Sequence, residues 1–337
     1  MINFFYKIKD FVVKHRNTAL LVLLAFLIIL PIIYKDDYYK SIMVKILFYS
    51  VLASSMNIIN GYSGQFSLGH AGFMCVGAYT AAILATKLGW SFWVTIIMAG
   101  LMSAIIGYLI SLPTLKLRGI YLTIVTLGFS EIVRLIALNW ESLTGGAMGI
   151  KNIPPPVFFG IVLNKTNHYY YLCLGILVIT LLIMYRLIHS KIGRAWIAIR
   201  EDQLAASSLG VEISKYKCLA FVVGAFFAGV GGCIMAYFYR YISSDMFVLD
   251  ETFNIISMVI IGGQGTLVGP IIGTVIVNIL TELFRFAEQY RMVFYAILII
   301  LMMWCRPQGL VGASNSILAG NRQRSWKIKR SRKEEKK

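Results

Sequence analysis

Residues 57–79 read NIINGYSGQFSLGHAGFMCVGAY, and this stretch decides what kind of chain the sequence encodes. An apolar run from Ser41 to Ile59 stops at Gly61-Tyr62-Ser63-Gly64-Gln65, and a second apolar run resumes near Ala71. Inside lipid every backbone N–H and C=O needs a partner, so a glycine-rich polar break at membrane depth survives only against protein or a water-filled cavity. Discontinuous helices of this kind, in corresponding places of two halves, point to a transport path. A partner lies downstream: residues 261–273, IGGQGTLVGPIIG, interrupt another apolar stretch in the same manner.

The composition agrees. The chain has 337 residues, 58% hydrophobic and 14% charged, with a mean hydropathy of +0.74, which excludes an ordinary soluble domain. The apolar residues come in long blocks, as lipid-facing helices are written. The net charge of +17 sits mainly in the termini and one internal loop. That distribution marks cytoplasmic segments by the positive-inside rule and gives no nucleic-acid-binding face. Five cysteines lie in or beside apolar runs without CxxC spacing, and the four histidines are scattered, so no metal site is indicated.

In chain order, residues 1–17 form a basic cytoplasmic N-terminus, followed by an uncleaved first span, Thr18–Tyr34. Further spans are expected near 41–59, 68–87, 91–112, 119–139, 169–188 and 217–239. Phe253–Phe284 is too long for one crossing and is broken at Gly262, Gly263, Gln264 and Gly265. Taken as two short segments, with a last helix at Met292–Cys305, it returns the tail to the cytoplasm and leaves Arg285 and Arg291 outside. The expected fold is an all-α polytopic membrane protein with about nine transmembrane or membrane-inserted helices and two glycine-rich broken segments. The transmembrane domain covers 18–310, with a basic loop at 189–216 and a basic, disordered cytoplasmic tail at 311–337 that lies against anionic lipid. Pro154-Pro155-Pro156 forbid regular helix in the outer loop at 140–168.

Several residues are candidates for function. Gln65, Ser67 and His70 occupy or flank the first break and must face protein or water. His70 is either a hydrogen-bonded packing residue or a substrate contact. Glu131 and Arg134, three apart on one helix face, are either a neutralised structural pair or a polar wall beside a path for a zwitterion. Small residues every four positions, at Gly265, Gly269 and Gly273 and at Ala220, Gly224, Ala228 and Gly232, let helices approach closely, within this subunit or against a second one. The basic loop carries Arg194, Arg200, Glu201 and Asp202. A helix is expected over 195–209, stopping at Gly210, with an Ala205-Ala206 face suited to docking in a partner's groove. No GxxxxGK[ST] loop and no catalytic constellation occurs, so the chain is not read as an enzyme and needs no cofactor of its own.

Together with LRGIYLTIVTLGFSEIVRLIALNWESLTGGAMGI and SKIGRAWIAIREDQLAASSLGV, the two break motifs resemble the branched-chain amino-acid ABC importer permease family, specifically its LivM-type subunit. The likeness runs from about residue 40 to 310. It implies a multi-pass subunit of the bacterial inner membrane, with both termini cytoplasmic. It also implies a LivH-like permease partner, two cytoplasmic ATP-binding subunits that bind the ATP, and a periplasmic or lipid-anchored amino-acid-binding protein. Leu204 to Gly210 is similar to the EAA-x-x-x-G coupling motif. Ala205, Ala206 and Gly210 match it, while Leu204 stands where the motif has Glu. The implied cargo is leucine, isoleucine or valine, moved by alternating access. Urea or short-chain amide ABC permeases share the first break motif and are the nearest rival. An ion-coupled secondary transporter, which needs no coupling helix, is a rival of a different class.

Overall fold

An α-helix rises about 1.5 Å per residue, so some twenty apolar residues are needed to cross the ~30 Å hydrocarbon core. A computed structural model of the chain describes residues 27–31, 36–115, 117, 119–158, 161–283, 296, 300, 304 and 309–311. In chain order its principal helices are α1 (Asp37–Asn57), prolonged by a π-helical turn (Ile58–Tyr62), α2 (His70–Lys87), α3 (Phe92–Thr114), α4 (Ile120–Asn139) and α5 (Thr166–His189). They continue with α6 (Lys191–Glu201), α7 (Gln203–Ser208), α8 (Ile213–Tyr239), α9 (Leu249–Gly262) and α10 (Gly269–Leu283). Among the described residues, five helices are long and apolar enough to span a bilayer: α1 with its π turn, α3, α4, α5 and α8. The protein is an all-α polytopic membrane protein, and six expected spans fall on α1 to α5 and α8 within a few residues. Most of the expected first span (all but 27–31, which are helical) and most of the last one lie outside the described residues, as do Lys116, Arg118, Arg285, Arg291 and both termini.

The helix α8 forms the centre. Its small residues bring three neighbours onto it: Gly229 meets Gly77 of α2 and Ser103 of α3, Gly232 lies on the backbone of Met74, and Gly224 on Ile59. Small faces permit this close approach, which is how membrane helices gain packing in the absence of a water-driven hydrophobic effect. The Ala220–Gly232 stripe is therefore used inside the subunit. So is Gly269–Gly273, which packs on Gly262 and Met258 of α9. The apolar windows of α1 and α8 are 72% buried and those of α4 and α5 28%, so the latter pair borders the subunit.

The contacts also fix direction. Thr95 and Ser111 of α3 pair with Tyr237 and Cys218 of α8, so those helices are antiparallel. The end at which α1 finishes, at Tyr62, is termed the break end. There the chain does not simply turn. His70, the first residue of α2, hydrogen-bonds through Nε2 to Ser55 Oγ at 2.8 Å. Ser55 lies about 10 Å back along α1 from Tyr62, so residues 63–69 climb back into the bundle and α2 starts within it. The second break is a tight reversal: α9 descends, turns through Gly263–Val268, and α10 returns to the far end, where Tyr38 of α1 hydrogen-bonds Glu282. The two-segment reading of 253–284 is the observed one.

At the far end the loop after α4 makes one helical turn (Glu141–Thr144), passes the three prolines without helix, and pairs Ile150–Lys151 antiparallel with Tyr241–Ile242. Arg240 and Ile153 clamp this junction: Ile153 N–H donates to Arg240 O, and Arg240 Nε donates to Ile153 O, both at 3.2 Å.

Candidate functional site

A helix that starts inside a membrane protein exposes its first N–H groups where no water can satisfy them. The sequence answers with hydroxyls from three elements. Leu68 N–H donates to Thr126 Oγ1 of α4 at 3.0 Å, Gly69 N–H to Ser67 Oγ at 3.3 Å, and Ala71 N–H to Thr252 Oγ1 of α9 at 3.3 Å. Asn60 and Ser67 close the strand-like return by a reciprocal pair, Asn60 Nδ2 to Ser67 O and Ser67 N–H to Asn60 Oδ1. Gln65 Nε2 donates to Lys217 O at 3.2 Å, at the start of α8. Gln65, Ser67 and His70 are all buried, whereas Gly64 and Phe66 are exposed.

The two breaks meet. The carboxamide of Asn57 spans them: its Nδ2 donates to Thr266 O at 2.7 Å and its Oδ1 accepts from Gly265 N–H at 2.8 Å. This contact needs Gly61, because a Cβ there would lie 2.5 Å from Gly265 N. The second break is otherwise held by backbone and by its own Thr266. Leu310 N–H donates to Ile261 O and Val311 N–H to Gly262 O, each at 3.0 Å, while Thr266 Oγ1 caps Gly263 O. Gly262 and Gly263 are buried and Gln264 is exposed.

The loop helix also reaches the breaks. Serine at position 190 caps α6, accepting from Ile192 N–H, and Trp196, fully buried, donates Nε1–H to Tyr216 O at 2.8 Å. Four residues beyond Trp196, on the same inner side of the helix, Arg200 donates from Nη1 to Gly61 O at 2.8 Å and from Nη2 to Glu201 at 3.0 Å. Arg194 instead points outward and donates to His189 O.

Here the expectation of one helix over 195–209 is corrected. Asp202 leaves helical geometry (φ −157°, ψ 115°), and its Oδ1 accepts from Leu204 N–H at 2.8 Å and Ala205 N–H at 3.1 Å, starting a second helix. Aspartate favours N-caps over helix interiors for this reason. The Ala205-Ala206 face is split as well: Ala206 is buried and Ala205 is exposed, beside Leu204 and Leu209 at 71% and 84% exposed. Gly210 follows with a left-handed φ of 81°.

Glu131 and Arg134 form a bidentate pair, with Nε to both carboxylate oxygens at 3.0 Å and Nη2 to Oε1 at 2.5 Å. They lie midway along α4, with side-chain exposures of 43% and 17% on the sparsely covered border of the subunit. Toward the far end a cavity of about 330 Å³ lies among α1, α8, α9 and α10, lined in part by Lys45, Asp245, Asp250, Glu251, Asn254 and Asn278.

Sequence reading named Gln65, Ser67, His70 and Arg200; the structure sets Arg200 against Gly61 and Gly265, whereas Gln65 bonds Lys217 O, Ser67 pairs with Asn60 and His70 bonds Ser55. It missed Asn57, Asn60, Thr126 and Thr252. A polar side chain at the rim of an apolar run was the available signal for the two asparagines.

Comparison with known proteins supplies the family. The model of the branched-chain amino acid transport system / permease component matches residues 38–303. The chain is 37% identical over 286 residues to the high-affinity branched-chain amino acid transport system permease protein LivM of Salmonella typhimurium, covering 78% of this chain and 67% of that protein. LivM of Escherichia coli gives the same figures. LivH of Escherichia coli is 25% identical over 295 residues, covering 78% of this chain and 91% of that protein. No solved structure matches. The chain belongs to the permease-component family of branched-chain amino acid transport systems.

Proposed function

We propose that the chain is one permease subunit of an ATP-driven importer that carries leucine, isoleucine and valine across the bacterial inner membrane by alternating access. A LivH-like permease completes the path, two ATP-binding subunits sit in the cytoplasm, and a binding protein delivers the amino acid from outside. The observation that carries this reading is α7: a short, capped helix at the break end that presents Leu204, Ala205 and Leu209 to solvent. Exposed leucines on an ordered helix suit a groove on a partner.

Sidedness follows from charge. Arg186, Lys191, Arg194, Arg200 and Lys215 gather at the break end, which supports placing that end in the cytoplasm; the basic composition of both termini supports assigning them to the same side. The Glu131–Arg134 pair on the border of the subunit supports a water-filled path there, because an exposed ion pair at mid-membrane faces water or protein in preference to lipid. The outer cavity carries charges of both signs, which complement the ammonium and carboxylate of an amino acid.

The test is reconstitution of the chain with its permease partner and ATPases in liposomes. Leucine-loaded binding protein is expected to stimulate hydrolysis and uptake. Stimulation by urea-loaded protein alone would reassign the cargo, and uptake that follows an ion gradient without ATP would reject the ATP-driven reading.

A further inference from the structure

We propose that Arg200 is a positioning residue that ties the α6–α7 unit to both glycine-rich breaks, so that a displacement of the exposed helices is delivered to the backbone at Gly61 and Gly265. This rests on the functional reading above and adds to it the residue through which motion passes.

The geometry is specific. Arg200 lies on the inward face of α6, one turn beyond Trp196, which holds the same helix against the start of α8. Its guanidinium donates to Gly61 O, within the π turn that ends α1. Two glycines make room for it. A Cβ at Gly64 would lie 2.7 Å from Arg200 Cγ, and a side chain at Gly265 would occupy the volume that Nη1 fills. Both glycines adopt positive φ, 68° and 71°, so the chain turns around this side chain on both breaks. Nη2 meanwhile holds Glu201, the last residue before the Asp202 cap of α7. One planar, multi-donor group thus touches the end of α6, the first break and the second break. A lysine has no such fork. Coupling between two sites requires an element whose arrangement both sites bias, and here a single side chain contacts both.

The experiment uses the reconstituted importer with Arg200→Ala and Arg200→Lys. The expected result for Arg200→Ala is a normal share of co-purified ATPase subunits with leucine uptake per ATP hydrolysed reduced roughly fivefold or more. Arg200→Lys, which keeps the charge and one donor, is expected to restore part of that ratio. A purely structural role would lower hydrolysis and uptake together and leave the ratio unchanged, and a direct ATPase contact would lower co-purification; either overturns the proposal.

A second measurement leaves Arg200 in place. Spin labels at Lys191→Cys on α6 and Gln264→Cys, both exposed positions, are expected to keep their separation between the nucleotide-free and ATP-trapped states. A separation that changes between those states overturns the tie. Absence of ATP-dependent uptake in the unsubstituted protein would overturn the functional reading itself, whereas an unchanged uptake-to-ATP ratio in Arg200→Ala would overturn this proposal alone.

Discussion

The two glycine-rich breaks share a sequence style and differ in how their backbones are satisfied. Residues 58–71 are held by side chains, two borrowed from other helices (Thr126 of α4 and Thr252 of α9) and one, Asn60, within the break. Residues 262–269 take two side chains, Asn57 from α1 and their own Thr266, and otherwise rest on close backbone contact, with Gly262 against Gly269 and Leu310 and Val311 hydrogen-bonded to Ile261 and Gly262. A break that climbs into the bundle needs polar partners at each exposed amide. A break that folds a helix hairpin on itself needs the absence of side chains where its two helices meet, at Gly262, Gly269 and Gly273. Glycine serves both, which is why the motif alone does not tell them apart.

Substitutions should separate the two modes. The largest effect is expected from Gly273→Ala, whose Cβ would collide with Met258 O on the facing helix. Backbone cannot move aside as a side chain would, so a loss of about 3 kcal/mol is expected, read as a fall in the thermal midpoint of the purified protein. Asn57→Ala removes the two bonds joining the breaks and strands Gly265 N–H and Thr266 O. A loss of about 2–3 kcal/mol is expected, with faster amide exchange at Gly265. Thr126→Val and Thr252→Val each orphan one amide of the first break, at about 1–2 kcal/mol apiece by the same midpoint measurement. If the valine variants proved as damaging as Gly273→Ala, the distinction between the breaks would fail. At the small end, Gly128→Ala in α4 meets nothing within 4 Å and is expected to leave the midpoint unchanged or raise it, by no more than about 1 kcal/mol.

The sequence made the spans legible because lipid-facing helices are written in apolar blocks, and the length of 253–284 required two segments. The bond between α6 and the first break was not legible: Arg200 and Gly61 are 139 positions apart, and no periodicity reports such a pair. Good helix formers on both sides hid the division at Asp202, since cap and interior differ only in which backbone amides the carboxylate reaches. The strand pair Ile150–Lys151 with Tyr241–Ile242 is two residues long, below the length at which alternation can be seen. Among the candidate site residues, position was foreseen for Gln65, Ser67 and His70. The partners of Gln65 and His70, Lys217 O of α8 and Ser55 of α1, were not.

The aspartate cap between α6 and α7 also separates two tasks that a continuous helix would have fused. With Arg200 on one piece and Leu204 and Leu209 on the other, the outward piece is an exchangeable adaptor. On the function proposed above, a chimera carrying a foreign 203–209 segment is expected to change which ATP-binding subunit docks, while the proposed Arg200 linkage stays intact.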